Sequence, residues 1–260
     1  MKLMIPEQRR ETIINRLKEK DIYSIDGLAE ELNVSRITIQ RDINILGQKG
    51  LVDKVHGGVK LRSETDGYFE SRFQVRMRQN YEKKLEIAKK ALSYVNDHST
   101  IFLDSSTTIY IFATELFKKK FVDLNIITTS PAILCESLKY PDLKIISTGG
   151  ELRSNFNMLG GGWVIDFLEK VNIDSAFVSA AGISASMEIT TANRELANIL
   201  GVVFKKSSEV NLLVDSSKFF KAGMLNISLV GRCRRIITDG RIDKNIISDL
   251  AEISNLEIIF

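Results

Sequence analysis

Apolar residues recur at helical spacing through the first quarter of the chain and in short runs through the rest. Residues 7–20 put Ile13, Ile14 and Leu17 on one face, which predicts a first helix. Ser24 is placed to cap a second helix, in which Ile25, Leu28, Ala29 and Leu32 share a side. Asn33 and Val34 make a tight turn, and Ser35 caps a third helix with Ile39, Ile43 and Leu46 at i, i+4 and i+7. The opposite face of that helix shows Arg36, Thr38, Gln40, Arg41 and Asn44, and Gly47 and Gly50 end it. Residues 51–55 and 59–61 read as short strands around a His56-Gly57-Gly58 turn, a small β-wing.

The polar stretch 63–67 sets a boundary. Residues 68–96 then look helical and highly charged, with Ile87, Ala88, Ala91, Leu92 and Val95 as the buried stripe; the first part fits a linker or a dimerisation helix. From residue 100 the rhythm changes. Strands are expected at 100–103, 125–128, 144–147, 175–179, 210–214, 235–238 and 256–260, with helices between several of them, such as 109–118, 131–138 and 193–204. Strands alternating with helices predict an α/β fold with a mainly parallel sheet covered on both faces. The expected organisation is a winged helix-turn-helix over 1–62, a linker and connecting helix over 63–98, and an α/β domain over 99–260.

Charge sharpens this division. Residues 1–62 hold 12 Lys and Arg against 9 Asp and Glu, whereas the remainder holds 24 of each, so the net +3 belongs to the N-terminal part. A helix exposing Arg and Gln, followed by a basic wing, is suited to a DNA major groove and its flanking phosphates. Cys135 and Cys233 lack the spacing of a zinc site or a disulfide framework, and two reduced thiols in a cytoplasmic protein are expected. No apolar run approaches the roughly 20 residues of a membrane span.

Four strand ends carry candidate ligand chemistry, since ligands of open α/β sheets gather where strands end and helices begin. Asp104 is followed by Ser105, Ser106, Thr107 and Thr108, more hydroxyls than a helix cap needs and well suited to phosphate. Thr129 and Ser130 precede a helix-starting Pro131, either a second ligand loop or another cap. Gly149 and Gly150 allow close backbone approach, and Arg153 fits either an anion partner or a solvated surface arginine. Asp215-Ser216-Ser217-Lys218 offers a point charge, or equally a solvated lysine. Gly160-Gly161-Gly162 lacks the spacing of a dinucleotide fingerprint. His56 and His98 have no evident partners, and the carboxylates Asp104, Glu188, Glu195 and Asp215 form no diagnostic pair, so no catalytic set, metal site or cofactor is expected.

Taken together, these segments resemble the DeoR family of bacterial transcriptional regulators over nearly the whole chain. The N-terminal match is VSRITIQRDINIL at 34–46 and KGLVDKVHGGV at 49–59; the rest rests on IFLDSSTT, IITTSPAI, STGGELR, DSAFVSAAGI and LLVDSSKF. Gln40 and Lys54 stand where the family more usually has arginine, and Val59 where it has alanine; Gln40 suits an adenine edge, so the operator is expected to differ from that of relatives. The resemblance implies a sensor domain of Rossmann-like fold, similar to ribose-5-phosphate isomerase. It further implies that Ser105, Ser106, Thr107 and Thr108 hold an effector phosphate with help from Lys218. Thr129 replaces a common asparagine. Ala181 stands in the segment where the isomerases carry a catalytic aspartate, which argues for sensing without turnover.

The expected function is a repressor of a sugar or sugar-phosphate catabolic operon, released from double-stranded operator DNA by a phosphorylated sugar. Ser35, Arg36, Thr38, Gln40, Arg41 and Asn44 on the helix and Lys54, His56 and Lys60 on the wing would touch DNA. Asp104–Thr108, Thr129, Ser130, Gly149, Gly150, Arg153 and Lys218 would receive the effector. A homodimer or homotetramer is expected from operator symmetry, with no membrane partner. The rival readings are an isomerase-like enzyme with an appended winged helix and a winged helix used for protein contacts.

Overall fold

A computed structural model describes residues 5–19, 22–48, 51–55, 58–61 and 73–260, and the chain divides into two compact units, Met1–Val75 and Arg76–Phe260. The expected boundary at 63–67, like His56 and Gly57 of the wing, lies outside the described residues.

In the first unit, helices α1 (Pro6–Glu19), α2 (Ile25–Glu31) and α3 (Arg36–Gln48) are followed by strands β1 (Val52–Val55) and β2 (Gly58–Leu61), paired antiparallel. The Ser24 hydroxyl accepts from the Gly27 amide and caps α2, and Ser35 caps α3 by accepting from the Thr38 amide at 3.2 Å. Ile13, Leu17, Leu28, Ile39, Ile43, Leu46, Val52 and Val59 close into one apolar core. Tyr23 pairs with Val59 through two backbone hydrogen bonds, adding a third strand segment to the wing. The approach is so close that a Cβ on Gly58 would meet the Tyr23 carbonyl oxygen at 2.2 Å, which is why glycine stands there. A buried carboxylate ties α3 to α1. Asp42 on α3 is buried, its carboxylate accepting from Arg9 Nε at 2.5 Å and from Arg10 Nη1 at 3.2 Å, both on α1.

The second unit begins with α4 (Phe73–Arg78), which crosses the boundary between units, and α5 (Tyr81–Ala91). Where the charged stretch reads as one long helix, Asn80 at φ 52° breaks it in two. There follow β3 (Thr100–Leu103), α6 (Thr107–Leu116), β4 (Asn125–Thr128), α7 (Pro131–Ser137), β5 (Lys144–Ser147), β6 (Glu151–Arg153), β7 (Met158–Gly160) and α8 (Gly162–Leu168). The chain continues through β8 (Ile173–Val178), β9 (Gly182–Ile183), β10 (Glu188–Thr191), α9 (Arg194–Lys206), β11 (Ser207–Leu213), β12 (Leu225–Leu229), β13 (Arg235–Ile237), α10 (Lys244–Ala251) and β14 (Glu257–Ile259).

Seven strands form a parallel sheet in the order β14-β13-β11-β8-β3-β4-β5. From β3 the chain winds outward through β4 to β5, then returns to β8 and winds the other way, so the order reverses between β3 and β8. Alternate residues on each strand serve opposite faces. Ile101, Leu103, Ile126, Phe177, Leu213 and Ile237 pack beneath α5, α6 and α7, with the Phe112 and Phe177 rings 4.7 Å apart. Phe102, Ile127, Ala176, Val178, Leu212 and Ile236 pack against α8, α9 and α10. The sheet is thus buried on both faces, as its continuous apolar strands require.

Two features were not legible from periodicity. A three-stranded antiparallel sheet, β12-β10-β9, and the β6–β7 hairpin are built from strands of 2 to 5 residues, too short to show a period of two. Both thiols are free, Cys135 exposed and Cys233 buried. Among the described residues no helix is long and apolar enough to cross a membrane.

Asp42→Ala is expected to destabilise the first unit by ~3 kcal/mol, because it removes the buried carboxylate that two arginines share. Amide hydrogen exchange in α1 and α3 reads this directly. Unchanged protection of both helices would mean that the contact contributes nothing.

Candidate functional site

The first candidate surface is the outer face of α3. Ile39, Asp42, Ile43 and Leu46 face inward, leaving Arg36, Ile37, Gln40, Arg41 and Asn44 exposed. The acid of this helix is therefore turned inward onto α1, and the exposed face carries no carboxylate of its own. Arg36 lies 3.3 Å from Asp26 of α2 in a solvent-exposed pair, which is weak and easily exchanged for a phosphate. Ser35 and Thr38 share a hydrogen bond of 2.8 Å between their hydroxyls, so both serve the helix start. On the wing Lys54 is exposed and Lys60 half-buried.

The second candidate lies at the carboxyl ends of the parallel strands, around the reversal between β3 and β8, where open α/β sheets bind ligands. Asp104, directly after β3, is fully buried. Its Oδ1 accepts from the Ser106 amide and its Oδ2 from the Ser179 amide, each at 2.7 Å, tying the end of β3 to the end of β8. Burial pushes its pKa up to about 6, against the opposing pull of these hydrogen bonds. Ser106 caps α6 by accepting from the Ile109 amide at 3.2 Å, while Ser105, Thr107 and Thr108 are buried beside it.

Facing this helix start is Lys84 of α5, itself buried. Its ammonium donates to Thr107 Oγ1 at 3.0 Å and to the Arg76 carbonyl, both neutral oxygens. Burial lowers its pKa to about 8; nearby Asp215 opposes the shift, while Lys218 and Arg76 add to it.

Asp215 follows β11. Its Oδ1 accepts from Asn80 Nδ2 at 3.1 Å and from the Ser217 amide at 3.0 Å, while its Oδ2 is buried with no donor. Beyond it, the Ser216 hydroxyl accepts from Lys83 Nζ at 2.7 Å, and buried Asp239 accepts from the Ser216 amide at 2.7 Å. Lys84 thus bonds Thr107 of the hydroxyl loop and feels the charges of Asp215 and Lys218.

At the end of β4, Ser130 caps α7 and accepts from Asn157 Nδ2 at 3.0 Å, and Thr129 Oγ1 is buried without a partner. Gly149 stands at φ +66° with open space around it. Gly150, at φ +104°, has the Gly160 carbonyl oxygen 2.4 Å from where its Cβ would be. Arg153 is drawn elsewhere: it donates to both oxygens of Glu195, at 2.8 and 3.2 Å, and to Glu151 at 2.8 Å. Glu195 also accepts from the Gly161 amide at 2.6 Å, and Arg153 holds it below the ordinary carboxylate range. The arginine is partly exposed, and its ion pairs lock the β6–β7 hairpin to α9.

Asn80, Lys83, Lys84 and Asp239 were not singled out by sequence reasoning. A signal existed for Lys84: it lies three residues before Ile87, four before Ala88 and seven before Ala91, in phase with the buried stripe of α5. A lysine in that register must be buried.

The chain matches two family models, the DeoR-like helix-turn-helix domain over residues 9–65 and the DeoR C terminal sensor domain over residues 79–240. Curated relatives include the HTH-type transcriptional regulator GolR of Listeria innocua, 30% identical over 93% of this chain and 93% of the relative. The L-fucose operon activator of Escherichia coli is 28% identical over 90% of this chain and 95% of its own length, and the glycerol-3-phosphate regulon repressor of the same organism 28% identical over 89% and 90%. Among solved structures, ribose 5-phosphate isomerase A from Methanocaldococcus jannaschii aligns at a TM-score of 0.41 and 20% identity, covering 54% of this chain and 55% of the isomerase. With both models and near full-length relatives in agreement, the chain belongs to the DeoR family of DNA-binding transcriptional regulators.

Proposed function

We propose that the protein is a cytoplasmic repressor of a sugar-catabolic operon, binding DNA as a homodimer or homotetramer and leaving it when a phosphorylated sugar occupies the strand ends. Its relatives include an activator of a fucose operon and a repressor of a glycerol-3-phosphate regulon. Control of genes named for a small carbon compound is common to these names; the sign of regulation is not. Repression is our reading for this chain.

The observation that carries the effector reading is the buried ammonium of Lys84 at the start of α6. A buried cation whose hydrogen bonds go to neutral oxygens is costly. An arriving phosphate would add a directly bonded countercharge to the more remote one of Asp215. It would also meet the amide dipoles of α6, at whose start the Ser105–Thr108 hydroxyls cluster. The donorless Oδ2 of Asp215 suits a sugar hydroxyl, which would donate to it. Thr129 Oγ1, also buried without a partner, offers a second such contact. Gly149 and Gly150 would border the sugar, and Lys218 would add positive potential. Arg153 acts on this reading through Glu195, as a brace. Ala181, in place of an acid, and a carboxylate at Asp104 whose two oxygens already accept backbone amides favour sensing over isomerisation.

On the DNA side, Arg36, Gln40, Arg41 and Asn44 would meet bases and phosphates, and Lys54 and Lys60 would meet the backbone beside the groove. Ser35 and Thr38 would hold the helix start in place.

Lys84→Met is expected to leave operator affinity within about twofold while raising the sugar phosphate concentration needed for release by at least ~10-fold, the loss of one charge-assisted contact. Fluorescence anisotropy with operator DNA and a panel of sugar phosphates measures both. An unaltered release curve would remove Lys84 from the site.

Release in the wild-type protein is expected to weaken as pH rises through about 8, where Lys84 loses its proton, by up to tenfold per pH unit. The phosphate is already a dianion in that window, so the change belongs to the protein, and Lys84→Met should abolish it. Substituting Ser106 and Thr107 together by alanine should likewise spare DNA binding and blunt release. Normal release in that double variant would contradict the phosphate assignment.

A further inference from the structure

The exposed face of α3 is not uniformly polar. Ile37 is 65% exposed, the most exposed large apolar side chain among the described residues of its unit, ahead of Ile5 at 52% and Ile22 at 45%. At about 100° per residue, Arg36, Gln40, Asn44, Ile37 and Arg41 follow one another round the helix over about 140°. Ile37 therefore lies inside the outward arc rather than at its border with the core. It is also in the first turn of α3, the end from which recognition helices reach base edges. A β-branched residue in that position neither favours the helix nor packs in the core, so the unbound protein gains little from it.

We propose that Ile37 is a specificity-determining residue that packs against the C5-methyl group of a thymine in the operator's major groove. Of the groups that base pairs present in that groove, the thymine methyl is the apolar one; the rest are hydrogen-bond donors and acceptors. An isoleucine among Arg36, Gln40, Asn44 and Arg41 matches a thymine lying among bases read by polar side chains. Seated against any other base, its apolar surface would cover donors or acceptors without satisfying them. The inference rests on α3 being the helix that enters the groove.

The test uses the full-length protein and a random-sequence DNA duplex library to select preferred sites for the wild type and for Ile37→Ala. Each thymine of the wild-type site is then replaced by deoxyuridine, which removes the methyl and nothing else. At one thymine per half-site, methyl removal is expected to weaken wild-type binding about fourfold, as burial of one methyl group predicts. Ile37→Ala should be indifferent to that replacement and should select sites without preference for thymine there. Its affinity for random duplex at low salt should match the wild type, since Ile37 is a surface residue and phosphate contacts carry that binding. A selected site in which no thymine methyl matters, or equal sensitivity in Ile37→Ala, overturns the assignment of Ile37 alone. Failure of the wild type to select any sequence overturns the groove-reading role of α3 with it.

Discussion

The carboxylate of Asp104 holds together the place on which the sensor unit depends. Where a doubly wound sheet changes direction, the chain leaves β3 one way and β8 the other, and the two loops diverge beyond the backbone bond from the Asp104 amide to the Phe177 carbonyl at 3.3 Å. The Asp104 carboxylate joins them by accepting an amide from each. Its burial carries a cost, visible in a pKa raised to about 6, and the backbone hydrogen bonds offset it. The start of α6, the hydroxyls beside it and the reach of Lys84 to Thr107 all presuppose this join.

The winged unit is organised on the same principle. Asp42 sits on the helix assigned to DNA, yet its charge is spent on Arg9 and Arg10 of α1. This clears negative charge from the outward face and fixes the helix by a bidentate polar grip rather than by apolar packing alone. Asp42 and Asp104, one in each unit, thus each fix the element proposed to meet a ligand without being aimed at that ligand themselves.

Much of this was legible in the chain. The helical stripes of α1 to α3, and the apolar runs that become β3, β4, β8, β11 and β13, carry their own periodicity. The hydroxyl-rich loop after β3 stands out because four consecutive Ser and Thr residues exceed what a helix cap needs, whatever the tertiary contacts. What escaped is what periodicity does not encode. Strands of two to five residues in the second sheet and the β6–β7 hairpin have no pattern to read. Arg153 was open between an anion partner and a solvated surface residue until Glu195, 42 residues away in sequence, was brought to it. Lys84 was hidden differently: its phase with Ile87, Ala88 and Ala91 was visible, but a charged residue in a buried register is easily taken as the edge of the stripe. Ile37 was passed over for the converse reason, an apolar residue on a face read for its polar ones.

The hydrogen bond from Lys84 to the carbonyl of Arg76 has a mechanical side. Arg76 opens the sensor unit, directly after the chain leaves the winged unit in sequence. An anion that draws the Lys84 ammonium toward itself competes with that carbonyl for the same protons. On the proposed reading, the entry peptide of the unit would be a rival ligand of Lys84, and an anion at the strand ends would loosen the hold of α5 on the Arg76 carbonyl.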